Sequence, residues 1–311
     1  MPMVKGERVA ILLCTFNGER YLPRQLDSIL AQDHKDWVIY VSDDGSTDGT
    51  LSILQSYQQR LESGRLVILQ GPRAGYAANF MSLLHQRADG DHYYAFCDQD
   101  DCWDPDKLSR ALAWMRLQPA DVPALYCGRT RLMNNDEQTI GYSPLFGREP
   151  SFRNALTQSL AGGNTMLINA SGHALMARTP PGVRVQSHDW WAYLLVTACG
   201  GRVHYDSKPS LGYRQHGENL IGSNAGMRDR LARLWHMLEG NYREWNDANL
   251  ALLQPFDASL TPENRLVLAL FKGMRGTGFF KRLSSLVRGG FYRQTLAGNV
   301  GMVVAVALRR F

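Results

Sequence analysis

Trp37-Val38-Ile39-Tyr40-Val41-Ser42-Asp43-Asp44-Gly45-Ser46-Thr47-Asp48-Gly49-Thr50 reads as a short Val/Ile-rich strand, a polar turn and the start of a helix. Residues 9–16 open the same way, with an apolar run leading into Asn17-Gly18-Glu19-Arg20 and a helix-like stretch. The rhythm continues with a strand at 66–69, a helix at 76–87, a strand at 93–97 and a helix after Pro105, placed where a first-turn proline is tolerated. Short strands alternating with helices imply right-handed crossovers and a mainly parallel sheet covered on both faces. Ligands of such sheets bind beyond the carboxyl ends of the strands. The acids fall there, with Asp43-Asp44 after the second strand and Asp98-Gln99-Asp100-Asp101 after the fourth.

Past Pro123 the pattern is less regular, with strands at 125–130 and 165–169 and a helix at 188–199, so a soft boundary falls near residue 120. From Met227 the chain reads as helical, broken near Pro255 and at Gly273, Gly276 and Gly278. The expected division is a unit at 1–222, with halves 1–120 and 121–222, and a basic helical region at 223–311.

The chain has 311 residues, 44% of them hydrophobic, and a formal charge of +5. That is ordinary globular composition and excludes disordered, collagenous and coiled-coil classes. Its longest apolar run near the end, residues 300–308, is about half of what a membrane span needs. Residues 1–9 lack the apolar core of a secretory signal, so a cytoplasmic protein is expected. Five cysteines without a CxxC pair argue for reduced thiols over a disulfide framework or a structural zinc site. Residues 265–311 carry nine Lys/Arg and no acid, interleaved with Phe271, Phe279, Phe280, Leu286, Val287 and Phe291. This suits an anionic membrane surface, each base contributing about 1 kcal/mol; nucleic acid or a plainly solvated face are the other readings of the same charge.

Asp98 and Asp100 place carboxylates at period-two spacing after a strand, oxygen ligands of the kind that suit Mg²⁺ or Mn²⁺. An Asp-rich turn also serves as a solvated loop or a cap. Ser46 or Thr47 could cap the helix after Asp48, which leaves Asp43 and Asp44 unexplained: two adjacent charges repel unless donors, such as those of a nucleotide, meet them. Cys14-Thr15-Phe16-Asn17-Gly18 contains no Gly-rich phosphate fingerprint, which removes support for a dehydrogenase, a P-loop NTPase or a nucleotide-sugar pyrophosphorylase.

Seven segments in order, namely Cys14-Thr15-Phe16-Asn17-Gly18-Glu19-Arg20-Tyr21-Leu22, Asp43 to Thr50, Gly75-Tyr76-Ala77-Ala78-Asn79-Phe80, Asp98-Gln99-Asp100-Asp101-Cys102-Trp103, Gly162-Gly163-Asn164-Thr165-Met166, His188-Asp189-Trp190-Trp191 and Tyr213-Arg214-Gln215-His216-Gly217-Glu218-Asn219, carry a resemblance. Over most of residues 8–222 the chain resembles family 2 glycosyltransferases of the GT-A fold, and among them bacterial rhamnosyltransferase-type enzymes. The resemblance implies an α/β nucleotide-diphospho-sugar transferase fold with a C-terminal helical extension. It implies a donor site from Thr15, Phe16, Asn17, Glu19, Asp43, Asp44, Asn79, Asp98, Gln99 and Arg214. A Mg²⁺ or Mn²⁺ ion would be held by Asp98, Asp100 and His216, although a lone His is also commonly structural. Asp189 would be the general base that accepts the acceptor hydroxyl's proton in a single inverting displacement. Trp103, Trp190, Gly162 and Gly163 would face the acceptor, the tryptophans also suiting a core and the glycines a plain turn. Cys102 in place of the usual aliphatic residue, and Gly163-Asn164 in place of a bulkier pair, bear on acceptor preference.

The activity this implies is transfer of one sugar, rhamnose or a related one, from a dTDP- or UDP-linked donor to a saccharide or lipid-linked acceptor of a bacterial envelope polysaccharide or lipopolysaccharide. No nucleic-acid partner is expected, and the basic end would hold the enzyme peripherally on the cytoplasmic face of the inner membrane. A non-catalytic nucleotide-sugar or glycan-binding module of the same fold is the alternative.

Overall fold

A computed structural model describes residues 7–86, 92–215, 241–276 and 278–311. His216, the 222/223 division and the helical reading of residues 227–240 lie outside the described residues.

Strand β1 (Val9–Thr15) is buried on both faces, as its continuous apolar run requires, and lies in the interior of the sheet. Helix α1 (Leu22–Leu30) leads to β2 (Trp37–Asp43), α2 (Thr50–Arg60) to β3 (Leu66–Gln70), and α3 (Tyr76–Gln86) to β4 (Tyr93–Cys97). These four strands run parallel in the order β3-β2-β1-β4. After the two-residue strand β5 (Cys102–Trp103), helix α4 (Lys107–Met115) starts two residues past Pro105, which therefore precedes the helix rather than sitting in its first turn.

The second half adds β6 (Ala124–Gly128), β7 (Arg131–Met133), β8 (Thr139–Tyr142), a short helix α5 (Phe152–Ala155), and β9 (Leu167–Asn169). It continues with α6 (Ala170–Ala177), α7 (His188–Ala198), β10 (Arg202–Asp206) and β11 (Leu211–Arg214). Strand β9 enters antiparallel between β4 and β6, and β10 closes the edge parallel to β6, completing the order β3-β2-β1-β4-β9-β6-β10. A second, four-stranded sheet, β5-β11-β7-β8, has no counterpart in the sequence reading, because its strands are two to four residues long.

Helices follow at Asn241–Leu253, Pro262–Met274, Phe279–Gly289 and Leu296–Ala307, with a 3₁₀ turn at Gln254–Ser259 around Pro255. They do not stand apart. Phe256, Val267, Phe271 and Phe311 join Trp190, Trp191, Leu194 and Phe96 in one hydrophobic cluster beneath one face of the large sheet. A second cluster, with Leu22, Leu26, Leu108 and Leu112, covers the other face. Burial of this many large side chains, at about 1.5 to 3 kcal/mol each, fixes the strand ends that carry the polar loops.

Candidate active site

Four loops meet at the carboxyl ends of β3, β2, β1 and β4, and the first two acids are held by the chain itself. Thr15 and Asp43 are the last register pair of β1 and β2, and Thr15 Oγ1 donates to Asp43 Oδ2 at 2.8 Å. Ser46 adds its hydroxyl at 2.6 Å and its N–H at 2.8 Å, with the Gly45 N–H at 3.2 Å. Asp44 accepts the N–H groups of Arg73 at 2.7 Å and Gly75 at 2.8 Å. The repulsion between the adjacent charges is therefore met by protein donors, not left for a nucleotide to relieve. Nor does Ser46 or Thr47 cap α2: Gly49 stands at its N-cap without a side-chain cap, and Asp48 before it accepts the Thr50 N–H and hydroxyl.

The β1 loop is tied across to its neighbours. Asn17, at φ 47°, donates its N–H to Ser46 Oγ and accepts the Thr47 N–H on Oδ1. Glu19 Oε2 accepts the Gly49 N–H, while Gln99 brackets Phe16, accepting its N–H at 2.9 Å and donating to its carbonyl at 3.0 Å. A side chain at Gly18 would displace the Gln99 amide from Phe16, so glycine leaves room for the tie between the two loops. Phe16 remains 56% exposed on the rim, an apolar face beside the polar loops.

The third acidic loop is different. No described residue donates to the Asp98 carboxylate; burial, then repulsion from Asp100 and Asp189, pushes its pKa up. Asp101 is fully buried, with Oδ2 accepting Asn164 Nδ2 at 2.5 Å and Oδ1 unpartnered among the described residues. Burial raises its pKa as well, followed by repulsion from Asp100 and Asp98. Lys107, buried nearby, has its ammonium pulled down to about 8 by desolvation, against the opposing pull of Cys97 and Asp101.

Asp189 stands in the first turn of α7, where Oδ1 accepts the Ser187 hydroxyl and the Trp190 N–H and Oδ2 accepts nothing among the described residues. A carboxylate is favoured at a helix N-terminus. Its charge is felt by Asp98 and by Tyr76, whose hydroxyl reaches the Gln186 carbonyl at 3.4 Å. Asp98, Asp100 and Asp189 thus share one electrostatic field. His188, next to Asp189, is buried with neither ring nitrogen partnered among the described residues, stacked on Phe80 at 4.0 Å. Burial lowers its pKa to about 4. Its ring fills the space that a side chain at Gly163 would need, which accounts for that glycine; Gly162 is exposed at the start of the turn into β9.

Four expected contact residues sit elsewhere than the reading placed them. Asn79 is buried, its amide exchanging bonds with the Ser42 hydroxyl and carbonyl, so it braces α3 against β2 instead of facing a sugar. Arg214 is 2% exposed, its guanidinium donating to the carbonyls of Asp100 and Asn135 and to Glu137, and is already engaged rather than poised for a diphosphate. Trp103 is in the core beneath Lys107, and Trp190 is in the core with its indole N–H on the Ala155 carbonyl, so neither offers a stacking face. Conversely, Asp101, Tyr76, Ser187 and His188 belong to the site although the sequence reading assigned them no role, and Asn164, read only as bearing on acceptor preference, holds Asp101; each lies inside or beside one of the quoted segments.

A mainly parallel sheet interrupted by one reversed strand, with acids on its carboxyl rim and flanking helices, is the arrangement of the GT-A fold. A sequence model of glycosyl transferase family 2 matches residues 10–179, and the chain belongs to that family. It is 28% identical over 242 residues to the dTDP-rhamnosyl transferase RfbG of Shigella flexneri, covering 75% of this chain and 81% of that one. Over 107 residues it is 36% identical to the putative teichuronic acid biosynthesis glycosyltransferase TuaG of Bacillus subtilis, covering 34% of this chain and 41% of that one. Among solved structures it is similar to S. aureus TarS 1-349 in complex with UDP-GlcNAc, with TM-score 0.54 and 15% identity over 97% of this chain and 90% of that one. The mannosyltransferase PcManGT of Pyrobaculum calidifontis, in complex with GDP-Man and Mn²⁺, superimposes with TM-score 0.51 and 17% identity over 99% and 88%.

Among the described residues no three acidic, His or Cys side chains already converge as a cation cage. The donor set nevertheless fits a hard divalent ion: carboxylate oxygens, crowded and desolvated, with an unpartnered oxygen on Asp101.

Proposed function

We propose that this glycosyltransferase moves a single sugar, rhamnose or a related one, from a dTDP- or UDP-linked donor to a saccharide or lipid-linked acceptor in bacterial envelope polysaccharide or lipopolysaccharide synthesis, with inversion at the anomeric carbon. The similarity to a dTDP-rhamnosyl transferase over three quarters of the chain favours the donor assignment. The observation that carries the mechanism is Asp189, oriented through one oxygen and close enough to Asp98 to repel its carboxylate.

In this reading Asp189 Oδ2 accepts the proton of the acceptor hydroxyl as its oxygen bonds to the anomeric carbon. The bond from that carbon to the diphosphate oxygen breaks, and the nucleoside diphosphate leaves with the electron pair. Ser187 and the Trp190 N–H hold the carboxylate in place, so little reorganisation accompanies proton transfer. The loops at 15–19 and 43–49, locked together by Asn17, Ser46 and Glu19, present the rim on which the nucleotide rests. Asp98 and Asp100, with His216, would hold Mg²⁺ or Mn²⁺, which when bound offsets the charge of the diphosphate. In this reading the work is done at the cytoplasmic face of the membrane, which the nine basic residues and no acid of residues 265–311 favour.

Thermal stabilisation by nucleoside diphosphates and nucleotide sugars, with Mn²⁺ or EDTA, tests the reading. A ligand at ~100 times its Kd adds about 2.7 kcal/mol. The expected result is a metal-dependent shift with dTDP or UDP species that Asp100→Ala loses; no shift with any nucleotide overturns it.

A further inference from the structure

The last two helices carry an apolar surface that the fold does not cover. In Leu296–Ala307 the buried side is Gly301, Met302, Ala305 and Val306, and these pack inward. On the opposite side Leu296 is 82% exposed and Val300 57%, followed by Val303, Val304 and Leu308 just past the helix end. The spacing 296, 300, 303, 304 is one face of a helix. No charged residue interrupts residues 296–308. Single exposed apolar residues are normal on a soluble protein, but a continuous stripe marks an interaction site.

The preceding helix lies against this one. Arg282, in its first turn, donates to the carbonyls of Val306 and Ala307 in the other's last turn, which makes the pair antiparallel. It too turns apolar groups outward, Phe280 at 85% exposure and Val287 at 79%, interspersed with exposed Lys281 and Arg288. Arg309 and Arg310, also exposed, close the far end of the stripe. The basic residues of the C-terminal region therefore have two kinds of job. Arg265, Arg275, Arg282 and Arg293 bind carbonyls within the protein, while Lys281, Arg288 and Arg309 are exposed on or just beyond the last two helices.

We propose that this antiparallel helix pair is a docking face for an anionic bilayer, its apolar side chains entering the headgroup boundary and Lys281, Arg288 and Arg309 meeting lipid phosphates. The inference deepens, and rests on, the membrane location given above. Charge selects the occupant: residues 265–311 contain no acid, so the same face on a second copy would oppose cation to cation. Length selects the mode, since 12 residues of helix reach about 18 Å against roughly 30 Å of hydrocarbon, and the pair lies in the surface without crossing it.

The full-length chain is sedimented with vesicles of phosphatidylglycerol and phosphatidylcholine, or of phosphatidylcholine alone. Binding to the anionic vesicles, weakened by salt, is expected to fall at least tenfold in Phe280→Glu/Val303→Glu and in Lys281→Glu/Arg288→Glu, with nucleotide stabilisation of both variants as in wild type. Wild-type binding that neither pair changes overturns the face while leaving the membrane location standing. A wild type that binds no vesicle, with nucleotide stabilisation intact, overturns the location and the face together. A concentration-dependent dimer in sedimentation velocity, lost in Phe280→Glu/Val303→Glu, assigns the surface to a second copy and overturns the bilayer.

Discussion

Two acidic clusters occupy one rim of the sheet, and the chain treats them in opposite ways. Around Asp43 and Asp44 it supplies Thr15, Gly45, Ser46, Arg73 and Gly75 as donors, so both charges are buried and answered. Around Asp98 and Asp101 the described residues supply Asn164 and the buried Lys107 to Asp101 and no donor to Asp98, and the carboxylates repel one another. Acids of the same type, at the same end of neighbouring strands, thus do different things. The first set is internal architecture that shapes the donor loops; the second is crowded and desolvated, the state that a bound cation would relieve. Function is sought where a fold leaves charge unanswered.

The largest effects should separate the two clusters by readout. Asp189→Asn removes the proposed base and Asp100→Asn a proposed cation ligand; each should lower the transfer rate by about 10² to 10⁴ while the melting temperature stays close to wild type. Steady-state transfer and thermal denaturation on the same preparations check this. A loss of stability in Asp100→Asn comparable to that of an Asp43 variant would erase the contrast between the clusters.

Acid should test the same distinction between answered and unanswered groups. His173, stacked on Tyr94 with its ring nitrogen on the Leu84 carbonyl, and His188, with no described partner, are both buried and have pKa values lowered to about 4. In the unfolded chain they titrate near 6.5. Between these values the unfolded state binds more protons, so their contribution is intact above about pH 6.5 and is lost as pH falls toward 4. The limiting slope is about 2.7 kcal/mol per pH unit for two protons. Urea unfolding at pH 7, 6 and 5 measures it, and His173→Gln should roughly halve it.

Third in size is Asp43→Ala, which strands the Ser46 N–H and breaks the Thr15 tie between β1 and β2. Hydrogen bonds to a charged group contribute about 1.5 to 3 kcal/mol each, so a loss of about 3 kcal/mol is expected in denaturant unfolding.

Much of this arrangement is legible in the sequence, and the limits have physical causes. Val/Ile-rich runs followed by polar, Gly-containing turns mark β1 and β2, and an aromatic run followed by acids marks β4, because a strand buried on both faces must be apolar throughout. The small sheet escapes notice because Cys102–Trp103 and Arg131–Met133 are too short to show a period. Residue type likewise does not tell which way a side chain points: Trp103 and Trp190 would serve equally as sugar platforms or core, and packing places them in the core. Arg214 looks like an anion-binding residue until its partners appear, and they are carbonyls at 100 and 135, far away in sequence. Asp43 and Asp98 are indistinguishable as letters; only the donors around them differ.

The smallest predicted effect is also the one most particular to the second cluster. Asp98→Asn keeps the shape of the side chain and removes one member of a set of like charges, Asp98, Asp100 and Asp189, in a desolvated place. Removing a buried charge normally destabilises because its partner is left behind. No described residue donates to the Asp98 carboxylate, so here the removal relieves repulsion. Without divalent ions the variant should be more stable than wild type by about 1 kcal/mol, roughly 2 °C in melting temperature for a chain of this size. With saturating Mn²⁺ the order should reverse, because wild type gains from the cation and the variant gains less. The equivalent exchange at Asp43 should destabilise with or without the ion. A crossing of the two melting curves at Asp98, and none at Asp43, is what distinguishes a carboxylate kept for a ligand from one kept for the fold.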